Sequence, residues 1–305
     1  MTDDIAAFDQ HRRLLFTVAY QMLGSVADAE DVVQDAWLRW SAADRGGVVD
    51  ARAYLVRVTT RLALDRMDSA RARRESYVGP WLPEPLLTGG APVASAPPAP
   101  EPEDAAELGE QVSLALLVVL ETLSPAERAV FVLREVFGMS VAEVAGSMGR
   151  TEAAVRQMAH RAREHVHARQ PRFDTDPQAQ RQVTERFLAA AVNGDVESLL
   201  AAMAPGVVLV ADGGGRVTAA RRPIVGADKV ARFLAGVGPQ AADIPGLRVE
   251  IAEINGAPAV VAWTDAGPYM ALQLVLADGL VEQVLFVANP DKLAGLVVRS
   301  AEDDT

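Results

Sequence analysis

The sequence contains no cysteine, few aromatic residues and only two lysines. Without cysteine, the chain can form neither disulfides nor thiolate metal sites. No uninterrupted apolar run approaches the roughly 20 residues of a membrane-spanning helix, and the acidic N-terminus lacks an apolar signal core. We therefore expect a soluble, cytoplasmic protein that uses no metal and no cofactor and does not contact a membrane.

Negative charge dominates the chain but is unevenly distributed. The formal net charge is −12 over 305 residues, whereas most nucleic-acid-binding proteins are basic. Residues 51–74 nevertheless carry seven arginines against two acids, and residues 150–169 carry five arginines against two glutamates. Two basic segments in an acidic chain predict two separate surfaces that face phosphate.

Residues 124–169 have the pattern of a helix-turn-helix. Ser124 and Ser140 each begin a short helix as N-caps, Gly149 ends the second helix, and Thr151 begins a longer, arginine-rich one. A short helix, a glycine turn and a basic helix are what is needed to place side chains in a major groove. The alternative is an ordinary three-helix bundle with a solvated basic face. The candidate DNA-binding residues are Arg150, Thr151, Arg156, Gln157, His160 and Arg161.

Helical periodicity also runs through the N-terminal segment. The apolar spacing predicts helices over Ile5–Leu23, Asp28–Trp40 and Ala51–Ala70, with a loop over Ser41–Asp50 that contains two adjacent glycines. Arginines step along one side of the third helix. The candidate phosphate contacts there are Arg52, Arg57, Arg61 and Arg66.

Residues 77–102 are rich in Pro, Gly, Ala and Ser and predict a linker that cannot build a core. The pentapeptide Trp81–Pro85 is unexpected in it, because an unanchored linker rarely keeps Trp and Leu exposed. We expect this pentapeptide to dock on another part of the chain. The alternative is an incidental apolar residue in a tether.

After Arg169 the pattern becomes mixed. Helices are predicted at Asp176–Ala191 and Val196–Ala204, followed by apolar, β-branched runs that indicate strands. Together they predict an α+β cone with a curved antiparallel sheet, and such cones usually enclose a pocket. The predicted strands and later helices are Val207–Ala211, Ala227–Ala235 (helix), Arg248–Ile254, Ala259–Trp263, Tyr269–Leu276, Leu280–Val287 and Asp291–Val298 (helix).

The two helical segments resemble regions two and four of the extracytoplasmic-function (ECF) sigma factors. VADAEDVVQDAWLRW and ARAYLVRVTTRLALDRMDSARARR are similar to region two, and LSPAERAVF with VAEVAGSMGRTEAAVRQMAHRARE to region four. The cone resembles the SnoaL-like branch of the NTF2-like superfamily. The ECF41-type subfamily joins these parts and carries WLPEP, DGGGK and NPDKL signatures. They stand here as Trp81–Pro85, Asp212–Arg216 and Asn289–Leu293, with Arg216 replacing lysine.

The resemblance implies a multidomain fold. Two all-α domains, sigma region 2 over residues 1–75 and a region 4 helix-turn-helix over 108–170, would flank a Pro-rich linker over 76–107. A SnoaL-like α+β regulatory domain would occupy residues 177–300. The resemblance also implies an alternative sigma factor that brings core RNA polymerase, through its β′ and β subunits, to promoter DNA.

Three surfaces would carry that activity. The arginine-rich helix of region 4 would read the −35 element, with Arg156 and Gln157 on bases. The loop Ser41–Asp50 would capture a flipped −10 base while the four N-terminal arginines hold phosphates. The second helix would dock on the polymerase β′ coiled coil. Its implied contacts are Asp31, Gln34, Asp35 and Arg39.

Catalysis by the cone is disfavoured, because the cone has neither His nor Cys and no carboxylate with an evident partner. Asp212, in a triple-glycine turn, is expected to accept backbone hydrogen bonds. We instead expect the cone to grip the linker, with Glu84 close to Arg216 or Lys292; whether a small molecule enters its pocket stays open. The regulatory residues are Trp81, Leu82, Pro83, Glu84, Pro85, Asp212, Gly213, Gly214, Gly215, Arg216, Asn289, Pro290, Asp291, Lys292 and Leu293.

Two other functions are compatible with parts of the sequence. One is a ligand-responsive helix-turn-helix regulator that binds DNA without polymerase. The other is an enzyme with a SnoaL-like pocket and an accessory DNA-binding module. The segment 28–74 separates the first of these from a sigma factor, because a simple regulator does not need it.

Overall fold

The computed structural model describes residues 2–43, 48, 50–89, 113–169 and 176–296. It divides into two compact units. Of the described residues, the first unit holds 2–76 and 116–169, and the second holds 77–89, 113–115 and 176–296. The linker segment that begins at Tyr77 therefore belongs to the same unit as the C-terminal domain.

Three helices form the N-terminal part of the first unit: α1 (Thr2–Leu23), α2 (Val26–Ala42) and α3 (Ala51–Glu75). Ser25 begins α2 by accepting a hydrogen bond from Asp28 N (3.2 Å), and Asp50 begins α3 by accepting one from Ala53 N (3.1 Å). The three predicted helices are thus confirmed. Both glycines of the predicted −10 loop lie outside the described residues.

The helix-turn-helix follows as α4 (Leu114–Leu120), α5 (Pro125–Phe131, continued by a π-helical turn to Val136), α6 (Val141–Met148) and α7 (Glu152–Arg169). Ser140 and Glu143 form the predicted capping box, and Gly149 ends α6 in the left-handed conformation at φ +63°. These local signals determine the helix ends because each satisfies backbone groups that the helix leaves unbonded.

The two helical segments do not lie apart in the first unit. Helix α6 packs on α3, and α5 packs on both α1 and α3. Segments 2–75 and 116–169 therefore share one compact unit.

The second unit is a seven-stranded sheet in the order β1-β4-β5-β6-β7-β2-β3. Its helices α8, α9 and α10 pack with one face of the sheet around a core that includes Phe187, Leu199, Leu209, Val230 and Val284. The element bounds are β1 (Leu87–Gly89), α8 (Pro177–Asn193), α9 (Val196–Ala202), β2 (Met203–Asp212), β3 (Ile224–Val225), α10 (Ala227–Val237), β4 (Arg248–Ile254), β5 (Ala257–Thr264), β6 (Gly267–Ala277), β7 (Leu280–Val287) and α11 (Pro290–Leu293).

The sheet differs from the predicted antiparallel one in two respects. Strand β2 pairs with β7 in parallel, and β1, from the predicted linker, pairs with the edge strand β4. The alternation of apolar residues along a strand has the same period in both orientations, so it could not show the parallel pair. The predicted hairpin at Asp278-Gly279 is confirmed, with φ values of +52° and +75°.

The closing helix is shorter than predicted. It ends at Leu293, four residues after its Asn289 cap, where Asp291–Val298 was expected. Residues 297 and 298 of the expected helix lie outside the described residues. Within the ranges that the structure describes, no helix is long and apolar enough to cross a lipid bilayer.

Candidate functional site

The predicted −35 residues lie on one face of α7. Arg156, Gln157, His160 and Arg161 are exposed, whereas Val155, Ala159 and Ala162, at intervening positions, are buried. Arg150 is exposed before the helix, and Thr151 Oγ1 caps it by accepting a hydrogen bond from Ala154 N (3.2 Å). The helix therefore presents its polar side chains on one side.

Three of these side chains pair with acids. Arg156 bonds Glu152 at 2.6 Å, Arg161 bonds Glu127 at 2.8 Å, and His160 lies 3.5 Å from Glu164. The Arg156–Glu152 and His160–Glu164 pairs are exposed on both sides, whereas Glu127 in the third pair is 21% exposed. Exposed pairs contribute less than about 1 kcal/mol. Breaking the two exposed pairs therefore costs little free energy.

The four arginines predicted to hold −10 phosphates differ in their surroundings. Arg52 and Arg57 are exposed, with the Arg57 guanidinium 5.4 Å from the centre of the Tyr54 ring. Arg61 Nε donates to Ser147 O of α6 (3.2 Å). Arg66 is bound by the carboxylates of Asp28 and Asp31 on α2. Sequence spacing could not show that two of the four already have protein partners.

Helix α2 presents the predicted polymerase face. Asp31, Gln34, Asp35 and Arg39 are exposed, and the opposite side of the helix is buried. Leu38, which sequence reasoning missed, is 57% exposed in the same stripe. Its position seven residues after Asp31 was the available signal, because i, i+3, i+4 and i+7 share one helix face.

Asp212 is the centre of a hydrogen-bond network in the second unit and is fully buried. Its Oδ1 accepts from the Tyr77 hydroxyl (2.6 Å) and Gly214 N (3.0 Å). Its Oδ2 accepts from Leu82 N (2.8 Å) and Lys292 Nζ (2.6 Å). The predicted acceptor role is confirmed, and two of the four donors come from the linker. These donors compensate for the burial of the charge.

Lys292 is the cation of this network and is only 7% exposed. Its Nζ lies 4.0 Å from the centre of the Trp81 ring and 4.9 Å from that of Tyr77, and it also donates to Leu82 O (2.5 Å). Two aromatic faces, a carboxylate and a carbonyl thus replace the water that an ammonium normally binds.

Tyr77 and Asn289 complete the network. Asn289 Nδ2 donates to the Tyr77 hydroxyl (2.7 Å), and Asn289 Oδ1 caps α11 by accepting from Asp291 N (3.1 Å). Burial, reinforced by the bond to Asp212, raises the pKa of Tyr77 well above its usual value. The phenol therefore remains a hydrogen-bond donor. Sequence reasoning missed Tyr77 because it stands four residues before the WLPEP signature.

The glycines after Asp212 allow this close packing. A Cβ at Gly214, where φ is +59°, would lie 2.5 Å from Asn289 Cγ, and a Cβ at Gly215 would lie 3.0 Å from Val78 Cβ. A side chain at Gly214 would collide with Asn289, which follows β7. A side chain at Gly215 would collide with Val78 of the linker. The turn needs glycine both for its backbone angles and for space.

The linker continues into the sheet beyond the network. Leu86 N donates to Asn255 Oδ1 (3.0 Å), and Asn255 N donates back to Leu86 O (2.8 Å), immediately before β1. Leu82 is 1% exposed, and Pro83 and Pro85 are buried. The predicted docking of the pentapeptide on another part of the chain is therefore confirmed. The turn at Asn255 has no sequence feature that would identify Leu86 of the linker as its hydrogen-bond partner.

The cations of the two cone signatures bind carboxylates of the cone itself. Arg216 pairs with Asp291 at 3.2 Å on the surface, and Lys292 pairs with Asp212. The close approach of Glu84 to one of these cations stays a prediction.

A cavity of about 270 Å³ lies between the linker and the glycine turn. Linker residues Val78–Pro80 form one wall, and residues 213 and 215–221 form much of the rest, including Arg216 and Arg221. Among the residues that the structure describes, no cluster of three or more histidines and carboxylates could bind a metal ion.

Comparisons with known proteins agree with both helical segments. The family model for sigma-70 region 2 matches residues 7–73, and that for sigma-70 region 4 matches residues 113–166. The chain is 38% identical over 301 residues to the ECF RNA polymerase sigma factor SigJ of Mycobacterium tuberculosis, covering 96% of this chain and 94% of the relative. It is 34% identical over 291 residues to the probable ECF RNA polymerase sigma factor SigI of the same species, covering 94% of each.

A solved structure matches the same length of chain. The crystal structure of Mycobacterium tuberculosis SigJ superposes with a TM-score of 0.74 at 36% identity, covering 95% of this chain and 98% of that one. The match spans the helical unit and the C-terminal α+β domain together. The chain therefore belongs to the family of extracytoplasmic-function RNA polymerase sigma factors.

Proposed function

We propose that this alternative sigma factor, which directs core RNA polymerase to specific promoters and is not an enzyme, is controlled by its own C-terminal domain through the linker. The observation that carries the proposal is the burial of linker residue Leu82 between Asp212 and Lys292 of the cone. We call the segment Tyr77–Gly89 with these cone residues the clasp. The linker joins the two promoter-reading segments, so a domain that binds the linker also constrains the positions of those segments.

Polymerase binding is assigned to the exposed face of α2. Asp31, Gln34, Asp35 and Arg39 are exposed on α2 together with Leu38, so this face combines one apolar side chain with polar and charged ones. Such a composition is typical of a protein interface. The partner proposed for this face is the coiled coil of the polymerase β′ subunit, with the β subunit as a further contact of the sigma factor. Because a sigma factor acts together with RNA polymerase, we also propose that this protein is located in the cytoplasm.

Run-off transcription with purified core polymerase tests the sigma activity directly. We expect initiation at a cognate promoter that requires both this protein and the core enzyme. If the free protein bound the promoter tightly and core polymerase added no initiation, the protein would act as a simple DNA-binding regulator.

Reading of the −35 element is assigned to α7. Arg156 suits bidentate binding to guanine and Gln157 suits adenine, whereas Arg150 is placed to contact phosphate near the start of the helix. For the −10 element, Arg52, Arg57 and Arg61 are the exposed candidates for phosphate contacts, and Arg61 also donates to Ser147 O.

Arg156→Ala and Gln157→Ala are each expected to cost about 1–3 kcal/mol of binding free energy at the matching base and to relax specificity there. The reason is that each side chain would lose a bidentate contact with a base edge. Binding to a set of singly substituted −35 duplexes measures this. Arg150→Ala is the control and should weaken binding similarly on all sequences. Equal loss of affinity by the Arg156 variant on cognate and scrambled DNA would refute its base-reading role.

Clasp formation changes the reach of the tether between the two segments. Residues 77–112 connect α3 to the helix-turn-helix, and the clasp holds residues 77–89 of this segment on the cone. The clasp therefore restricts how far the two promoter-reading segments can separate. A small molecule in the cavity beside Val78–Pro80 would touch the linker and could act on the same equilibrium.

Trp81→Ala is expected to weaken the clasp by about 2 kcal/mol, because it removes apolar contact area and one of the two rings beside Lys292. Glu84→Gln, a more conservative change in the same pentapeptide, should cost under about 1 kcal/mol. Limited proteolysis of residues 77–89 and run-off transcription measure the two variants side by side. A linker that is cleaved equally in wild type and in Trp81→Ala would contradict the assignment.

A further inference from the structure

The cavity between the linker and the glycine turn carries positive charge that the clasp does not use. The loop from β2 to β3 supplies most of its lining, and Arg216 and Arg221 are part of it. Residues 213–227, which include this loop, contain three arginines and no acid, although the whole chain has a net charge of −12. No Asp or Glu is among the described residues that line the cavity. The cavity therefore favours an anion.

The two arginines differ in whether they already have a partner. Arg216 pairs with Asp291 at 3.2 Å, and both side chains are more than 60% exposed. The side chain of Arg221 is exposed and, within the part of the chain that the structure describes, forms neither an ion pair nor a hydrogen bond. A guanidinium binds a carboxylate or a phosphate through two parallel N–H donors. Arg221 is thus available for such a group, and Arg216 can join it by giving up an ion pair that water already weakens.

Two large apolar side chains are exposed in the same cavity. Val78 of the linker is 49% exposed and Val217 of the loop is 40% exposed, and both line the cavity. Ala211, which also lines it, belongs to the buried apolar core of the cone. Ligand sites typically combine an apolar lining with a few polar groups that fix the orientation of the ligand. An organic anion would cover these apolar side chains, whereas an inorganic ion would leave them in water.

We propose that this cavity is a binding site for a small organic anion. Its carboxylate or phosphate group pairs with Arg221, and its apolar part lies against Val78 and Val217. The cavity volume of about 270 Å³ is near the lower end for ligand sites, so the ligand is small. The inference rests on the proposed function, because it gives the control exerted through the linker a ligand of defined chemistry.

The ligand would act on the clasp because it contacts the linker and the cone at once. Val78 and Pro80 come from the linker, whereas Val217 and Arg221 come from the cone. Gly79, at φ +88°, brings the linker backbone next to this arginine, since a Cβ added to Gly79 would lie 3.7 Å from Arg221 Cα. A ligand that binds only the clasped state shifts the equilibrium toward that state, by about 100-fold at a concentration 100 times its Kd.

Limited proteolysis of residues 77–89 in the full-length chain tests the site. The probes are benzoate and phenyl phosphate, which present a carboxylate and a phosphate on the same ring, and benzamide is the neutral control. At constant ionic strength we expect at least one of the two anions to slow cleavage by about threefold or more, because the ligand holds the linker on the cone. The anion that protects more strongly identifies the preferred group. Equal protection by benzamide, or no protection by either anion, would overturn the proposal.

Arg221→Gln should abolish the protection. Arg222→Gln is the matched control, because it removes the same charge one residue away from a side chain that is exposed but does not line the cavity. It should respond to the probes as wild type does. Protection that survives Arg221→Gln, or that both variants lose equally, would show that the arginine in the cavity does not bind the anion.

Run-off transcription with and without the protecting anion separates this inference from the proposed function. If protection depends on Arg221 but transcript yield is unchanged relative to the Arg221→Gln chain, the binding site stands and control through the linker is rejected. If neither anion protects the linker while Trp81→Ala still changes transcript yield, only the anion site is rejected.

Discussion

Lys292→Met is expected to lower the free energy of unfolding of the C-terminal unit by about 3–5 kcal/mol, because it leaves the carboxylate of Asp212 buried without its cation. Methionine keeps most of the apolar length of lysine and can still lie against Trp81 and Tyr77. The loss would therefore report the ion pair and the hydrogen bond to Leu82 O, and not a cavity. Denaturant unfolding followed by tryptophan fluorescence measures it.

Arg216→Met is the matched control. The same exchange of a cation for methionine is made in the other cone signature, but Arg216 and Asp291 are each more than 60% exposed, so the expected cost is under about 1 kcal/mol. The double variant Asp212→Asn with Lys292→Met should recover part of the loss, since no net charge then stays buried. Equal stability of Lys292→Met and Arg216→Met would show that the buried pair does not hold the clasp.

Gly214→Ala is expected to destabilise the same unit by about 2–4 kcal/mol. Part of the cost is the left-handed backbone, which L-residues other than Asn and Asp rarely adopt. The rest is steric, because the new Cβ would lie 2.5 Å from Asn289 Cγ and would displace the side chain that caps α11 and bonds Tyr77. Protease sensitivity of residues 77–89 should rise with the loss of stability.

Gly236→Ala is the control for this change. Gly236 lies within α10, and a Cβ added there would have no other atom within 4 Å apart from its chain neighbours and the backbone of its own helix. Alanine is the better helix former by up to about 1 kcal/mol, so this variant should be neutral or slightly more stable. If Gly214→Ala were as stable as Gly236→Ala, the glycine turn would not be what allows the clasp to close.

The sequence predicted the parts of this protein whose causes are local. Ser140 with Glu143, the left-handed Gly149 and the Asn289 cap each satisfy backbone groups within a few residues, so their helices could be placed without knowing the fold. The outward set on α7 followed in the same way, because a helical period alone separates Arg156 and Gln157 from buried Val155 and Ala159.

Prediction failed where a partner is distant in the chain. The parallel pairing of β2 with β7 joins residues some 75 positions apart, and nothing in either strand reveals its partner's direction. Asn255 bonds Leu86 across a separation of 169 residues. Tyr77 has no local role that would distinguish it from any aromatic residue at the end of a helix.

What the sequence by itself determined was the helix-turn-helix, the order of the segments and the docking of an aromatic pentapeptide that a solvated tether would not retain. Only the tertiary structure decided which charges are buried. In the folded chain, Lys292 and Asp212 form a pair that is almost entirely removed from water, while Arg216 and Asp291 form one that is not. The cost of a charge depends on its distance from water and on its partners, and both are set by contacts between segments far apart in the chain.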